Sequence, residues 1–220
     1  MAKEQHLLLI RHGETVGNQE QIAHGQTESP LNDRGIQQAT LTAKMLQTWQ
    51  RPYDLVYASP LYRAHHTGKI IAEHLELPLH THDDLKEGFL GDWEEVTYEE
   101  LNKLGFAQKS IHDDDFDGHG GETPNQLSQR LINAVETIRK RHSAENIIMV
   151  SHGAAISHLL ARVLDTKPAF GHQYLMHNAA ITEVSFKRGR KPELITFNYY
   201  DHLPNELIAD PMRRDQHVSE

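Results

Sequence analysis

Leu7-Leu8-Leu9-Ile10-Arg11-His12-Gly13-Glu14-Thr15 is the stretch on which the fold turns. Four consecutive apolar residues read as a strand buried on both faces, and a charged, Gly-containing turn follows without a spacer. The same grammar returns at Ile147-Ile148-Met149-Val150-Ser151-His152-Gly153, where a strand again runs into a His-Gly pair that opens a helix. Between and beyond these lie further β-prone stretches at Leu55 to Tyr57, Leu79 to Thr81, Ile181 to Phe186 and Leu194 to Tyr199. Helical periodicity separates most of them. Ile36, Ala39, Ala43 and Leu46 share one face, as do Ala64, Ile71 and Leu75, and then Leu127, Leu131, Val135 and Ile138, with a fourth helix from about Ala154 to Leu164. The alternation predicts an α/β protein: a three-layer α/β/α sandwich with a mostly parallel central sheet. A single domain over residues 1–220 is the expectation.

Residues 88–123 interrupt this rhythm with an acidic, glycine-containing segment and one short helical pattern, Tyr98 to Leu104. They read as a small cap inserted over the C-terminal edge of the strands. Helix restart is signalled by Thr123 as N-cap, Pro124 at the first helical position and Gln126 completing a capping box. Lys187-Arg188-Gly189-Arg190-Lys191 reads as a hairpin turn between two late strands, and the last dozen residues as a frayed end.

Composition narrows the chemistry. The 220 residues contain no Cys, so thiolate catalysis, iron–sulfur clusters and Cys-ligated zinc are excluded. A formal charge of −9 disfavours nucleic acid and anionic membranes as partners, while leaving a small anion possible where positive charge is concentrated. The early apolar run is far shorter than a signal-peptide core or a membrane span, and a soluble cytoplasmic protein is expected.

In parallel α/β sheets ligands gather beyond the carboxyl ends of the strands, so His12 and His152, 140 positions apart, can meet in one crevice. Arg11 adjoins the first histidine, and Arg63 follows Tyr57-Ala58-Ser59-Pro60 at the start of another helix. Guanidinium offers a planar, permanently charged fork suited to phosphate oxygens, so convergence of these arginines would make a phosphate cradle.

At these residues the chain resembles the histidine phosphatase superfamily, which includes the cofactor-dependent phosphoglycerate mutases. The matching stretches, in family order over roughly residues 6–186, are Leu9 to Thr15 with Asn18, Leu31-Asn32-Asp33-Arg34-Gly35 with Gln38-Ala39, Ala58 to Ala64 with Thr67, Leu85-Lys86-Glu87 with Gly91-Asp92-Trp93-Glu94, Gly121-Glu122-Thr123, and Val150 to Gly153. The resemblance implies that His12 is a transiently phosphorylated nucleophile and that Arg11, Arg63 and His152 hold the phosphoryl group. It further implies that Glu87 donates the proton and that Asn18 adds a phosphate contact. Gly153 belongs to the same phosphate-binding set.

Chemistry adds conditions. His12 must be neutral, one ring N–H fixed by an acceptor such as a carbonyl of the following loop. His152 is expected as a donor or cation toward the phosphoryl oxygens, so the two rings are expected in different protonation states. Glu87 needs partial burial to act as an acid near neutral pH. Glu14 is expected to order Arg11 or the loop rather than to react. Phe89, Leu90, Trp93 and Phe106 are candidates to line the cap.

A mutase must also grip the second anionic end of a phosphoglycerate. From Gly88 to Gln129 there is no Arg, only Lys103 and Lys109, against Asp113-Asp114-Asp115 and Asp117, and Gly91-Asp92-Trp93-Glu94 resembles the phosphatase branch. The expectation is therefore a phosphomonoester hydrolase for small phosphorylated metabolites, without metal or other cofactor, with phosphoglycerate mutase as the alternative. Two noncatalytic readings stand behind it: a phosphate-binding module, and a calcium module on Asp113-x-Asp115-x-Asp117-Gly118. The calcium pattern fails at its twelfth position, Pro124, where a bidentate Glu belongs. Seventeen histidines include no His-Glu-x-x-His arrangement. Oligomeric state and natural substrate are not legible.

Overall fold

The computed structural model describes residues 4–49 and 51–208, without the side chains of residues 106 and 107. Every strand expected from the sequence is present: β1 (Gln5–Arg11), β3 (Leu55–Ala58), β4 (Leu79–Thr81), β6 (Ile147–Ser151), β7 (Ile181–Phe186) and β8 (Glu193–Tyr199). Together they form one sheet in the order β4-β3-β6-β1-β7-β8. The first four run parallel, and β7 pairs antiparallel with both β1 and β8. Two strands were not legible: β2 (Ile22–Ala23) and β5 (Val96–Thr97), a two-residue antiparallel pair that ties the loop after β1 to the 88–123 segment.

The layers follow from strand alternation. Leu7, Leu9, Leu55, Tyr57, Ile147 and Met149 face one side and pack on Leu131, Val135 and Ile138 of α6 (Pro124–Arg141) and Ile156, Leu159 and Leu160 of α7 (Gly153–Val163). Their alternating neighbours Leu8, Ile10, Val56, Ala58, Ile148 and Val150 face the other side, against Ala43 and Leu46 of α2 (Asp33–Leu46) and Ala64, Ile71 and Ala72 of α3 (Tyr62–Leu75). A period of two in the strands thus assigns each apolar residue to one of two cores. This is the expected three-layer sandwich. Thr123, Pro124 and Gln126 form the expected capping box at the start of α6. The basic run 187–191 is the turn joining the β7–β8 hairpin.

In the 88–123 segment, Trp93 and Leu101 pack with Ala23 as a third, small apolar cluster. Short helices α4 (Tyr98–Lys103) and α5 (Phe106–Ser110) lie within it; with α1 (Val16–Gln19) after β1 they complete the α-helices of the described residues. Asp113 Oδ1 accepts from Asp115 N at 3.0 Å, Asp114 Oδ1 from Ala169 N at 2.7 Å and Asp115 Oδ1 from Asn125 Nδ2 at 3.2 Å. The acidic loop therefore fastens the segment to α6 and to residues 168–174, which departs from the calcium alternative: its carboxylates turn to protein N–H donors. Among the described residues there is no cluster of three or more metal-ligating side chains, and no helix long and apolar enough to cross a membrane. The last dozen residues, expected to fray, lie outside the described residues.

Candidate active site

Sheet register brings the two histidines together. β1 and β6 pair in parallel from Leu7↔Ile147 to Arg11↔Ser151, a constant offset of 140, so the next residue on each strand is a histidine. His12 N donates to Ser151 O at 3.0 Å, and the two imidazoles meet edge to face with centroids 5.2 Å apart. His12 Nδ1 lies 2.7 Å from Gly13 O. A carbonyl only accepts, so Nδ1 carries the hydrogen and Nε2 the lone pair. Asn178 Nδ2 braces the same turn on His12 O at 3.0 Å. Gly13 is needed here, because a Cβ would stand 2.4 Å from Gly35 O at the start of α2.

Arg63, 3% exposed, makes three hydrogen bonds: Nε to His152 Nδ1 at 3.2 Å, Nη1 to Thr27 O at 2.8 Å and Nη2 to Gly25 O at 2.6 Å. Guanidinium has five N–H groups, so two remain for an oxyanion. Arg11 is held by Nη1 donating to Met176 O at 2.6 Å. Gly153 opens α7 beside it, and a Cβ there would lie 3.3 Å from Arg11 Nε, so this glycine gives the guanidinium its place.

His152 departs from the expectation of a cation. Arg63 Nε–H can only donate, which makes His152 Nδ1 an acceptor; Nε2, 2.8 Å from Ser59 Oγ, carries the hydrogen. Complete burial, then Arg63, His12 and Arg11, hold its pKa well below the usual histidine range. His152 is therefore neutral, since a further positive charge in a buried site beside two arginines is too costly.

Glu87 is half-buried and points at the start of α7. Its Oε1 accepts from Ala155 N at 2.7 Å and Gly88 N at 3.0 Å, and its Oε2 from Ala154 N at 3.0 Å. Helix N-termini leave such donors unpaired, so the carboxylate caps α7 while facing the cleft. The backbone of Glu87 is fixed separately. Its carbonyl accepts from Gln26 Nε2 at 3.0 Å and Arg130 Nη2 at 3.1 Å. Arg130 also donates to Asp84 O and Lys86 O and grips both oxygens of Glu122, at 2.7 and 2.6 Å. That carboxyl, despite the opposing effect of burial, is drawn below its ordinary pKa by Arg130 and the Phe89 N–H.

Asn18 lines the same cleft; its Oδ1 accepts from Thr15 N at 3.2 Å and Asn178 Nδ2 at 3.1 Å. Glu14 orders the loop but not Arg11: its carboxylate binds Asn32 Nδ2 and Arg34 Nη1, pinning the start of α2. Of the apolar candidates, Leu90 and Trp93 line the cleft, Phe89 is 42% exposed, and the Phe106 side chain lies outside the described residues. Sequence reasoning missed His24, His119 and His158, which also line it. Their only sequence signal is histidine itself, indistinguishable there from the twelve others besides His12 and His152.

His12, Arg11, Arg63 and Glu87 around one cleft, with His152 buried against His12, are the groups of a phosphoryl-transfer enzyme. The profile of the histidine phosphatase superfamily (branch 1) matches residues 7–199, and the chain belongs to that family. It is 32% identical over 195 residues to the uncharacterised phosphatase PhoE of Bacillus subtilis strain 168, covering 89% of this chain and 95% of that one. It is 35% identical over 174 residues to a metal-independent phosphoserine phosphatase of Arabidopsis thaliana, covering 74% and 70%. A mutant phosphoserine phosphatase of Entamoeba histolytica, solved with phosphoserine, superposes with a TM-score of 0.82 at 32% identity, covering 91% of this chain and 100% of that one. The chain is an enzyme that hydrolyses phosphate esters.

Proposed function

We propose that His12 attacks small phosphate monoesters and that water completes the hydrolysis. The observation that carries this reading is the His12 Nδ1 to Gly13 O contact of 2.7 Å, which leaves the Nε2 lone pair to react beside His152. In the first step the His12 Nε2–P bond forms, the P–O bond to the leaving group breaks, and Glu87, in its protonated form, delivers a proton to the departing oxygen. In the second step Glu87, now a carboxylate, takes a proton from water as the new O–P bond forms and N–P breaks. Arg11, Arg63, Asn18 and Gly153 hold the phosphoryl oxygens, and His152, whose ring nitrogens meet Arg63 Nε and Ser59 Oγ, sets the place of Arg63. Such electrostatic stabilisation, with in-line positioning, is most of what phosphoryl transfer asks of a protein.

Water is favoured over a second substrate hydroxyl because the cations lining the cleft are Arg11 and Arg63, both beside the paired histidines. Lys103 is paired with Glu99 on the surface. Among the described residues a phosphoglycerate carboxylate would find no Lys or Arg at the leaving-group end of the cleft. We read residues 88–123 as the cap of a single domain, since Leu90, Trp93, Tyr98, Ser110 and His119 all line the cleft. The formal charge of −9 disfavours nucleic acid and anionic membranes as partners, while Arg11 and Arg63 concentrate positive charge for a small phosphorylated metabolite.

The test is phosphate release from p-nitrophenyl phosphate and a panel of monoesters, in chelator and without bisphosphoglycerate. Activity that vanadate inhibits and His12→Ala abolishes is expected. Interconversion of phosphoglycerates by a protein inert on the panel would establish the mutase instead.

A further inference from the structure

His158 lies on the cleft wall with Glu87, Ala154 and Leu127, and the reaction above gives it no task. It stands on α7, five residues beyond Gly153. Its Nδ1 is 2.7 Å from Pro168 O. The carbonyl fixes the tautomer: hydrogen on Nδ1, lone pair on Nε2. Gly171 permits the approach, because a Cβ there would stand 2.6 Å from Nδ1. The Pro168 segment is itself anchored through Ala169 N on Asp114 Oδ1, so the ring cannot easily turn. Burial draws the His158 pKa below its ordinary value, with the Pro168 bond opposing, which keeps the ring neutral. Among the described residues nothing donates to Nε2, on a ring that lines the cleft.

His119, a second ring on the lining, has the reverse polarity. Gly121 N donates to its Nδ1 at 2.8 Å, which leaves the hydrogen on Nε2. One ring therefore offers an acceptor and another a donor. A hydroxyl both donates and accepts; an ammonium only donates.

We propose that Nε2 of His158 accepts a hydrogen bond from a hydroxyl on the leaving group, so that the substrates are hydroxyl-bearing alkyl phosphates, of the polyol or sugar type, rather than simple alkyl esters. The inference rests on the phosphatase reading and deepens it. A site built to bond a hydroxyl rejects the analogue that lacks it, because its own polar atom is left without a partner.

The experiment measures kcat/KM of the full chain on matched pairs: glycerol 1-phosphate against propyl phosphate, and phosphoethanolamine against ethyl phosphate. For the wild type, a preference for the hydroxylated ester of about 10-fold or more is expected. In His158→Leu the ratio should collapse toward one whatever the absolute rate, and His158→Gln, whose carbonyl oxygen can accept, should restore part of it. A wild-type ratio near one overturns the inference without recourse to any variant. A ratio retained in His158→Leu, or discrimination confined to the ammonium pair, overturns it as well. Failure of the wild type to hydrolyse any ester, p-nitrophenyl phosphate included, would instead remove the phosphatase reading beneath it.

Discussion

Arg63 donates from Nε to Nδ1 of His152 across 3.2 Å, and this bond sets the proton inventory of the cleft. A guanidinium cannot accept, so the imidazole beside it is bare at Nδ1 and neutral, and its one hydrogen, on Nε2, is directed to Ser59 Oγ. Beside the two permanent arginine charges, His152 adds no charge of its own around neutral pH.

The histidine resonances test this. In an NMR titration of the free protein, the His152 ring should keep its neutral signature from pH 8 down through the ordinary histidine range near 6.5. A midpoint at or above that value would mean that the Arg63 contact is absent in solution.

Stability should fall on acidification for a related reason. Burial lowers the pKa of His202 to about 4, despite Asp201, and those of His24, His119, His152 and His158 are also drawn below 6.5. Below about pH 6.5 the unfolded chain takes up protons that the folded chain refuses, so unfolding gains free energy as pH drops, and for His202 this continues to about pH 4. Above that window these groups contribute no slope. Urea midpoints should therefore be level between about pH 7 and 8 and decline toward pH 5, with His202→Asn giving the shallower decline.

Glu87→Gln removes the proton donor while its amide oxygen can still accept from Ala155 N, although the amide nitrogen then replaces the oxygen that accepts from Ala154 N. On alkyl phosphates kcat should drop by roughly 100- to 10,000-fold. On p-nitrophenyl phosphate, whose leaving group needs no proton, the drop should be much smaller. Equal losses on both would assign Glu87 a structural task only.

Arg130 holds Glu87 from behind. Arg130→Met leaves Glu122 without its partner in a site where both side chains are about one-fifth exposed, at 18% and 20%. The expected cost is about 2 kcal/mol of stability, reduced from the fully buried case by solvent access. It also frees the carbonyls of Asp84, Lys86 and Glu87, so kcat should fall with the Glu87 substrate pattern, alkyl esters suffering most. A variant that loses stability but keeps the wild-type ratio between alkyl and aryl esters would confine Arg130 to the fold.

The sequence by itself determined the six strands of the main sheet, the main helices and the capping box at Thr123, and it nominated His12, Arg11, Arg63, Glu87 and His152 for the site. The central strands are short, mostly apolar runs, amphipathic helices repeat their apolar residues at helical spacing, and motif residues sit where strands end; all of these are local properties of the chain. The tertiary structure alone decided the pairing of β1 with β6 at an offset of 140, the two-residue ladder of β2 with β5, and the neutral state of His152. It also decided that His119 and His158 face the cleft and that Glu14 binds Arg34 rather than Arg11. Register, burial and the tautomer of a ring depend on which distant carbonyl or cation arrives beside it, and no local pattern of residues records that arrival.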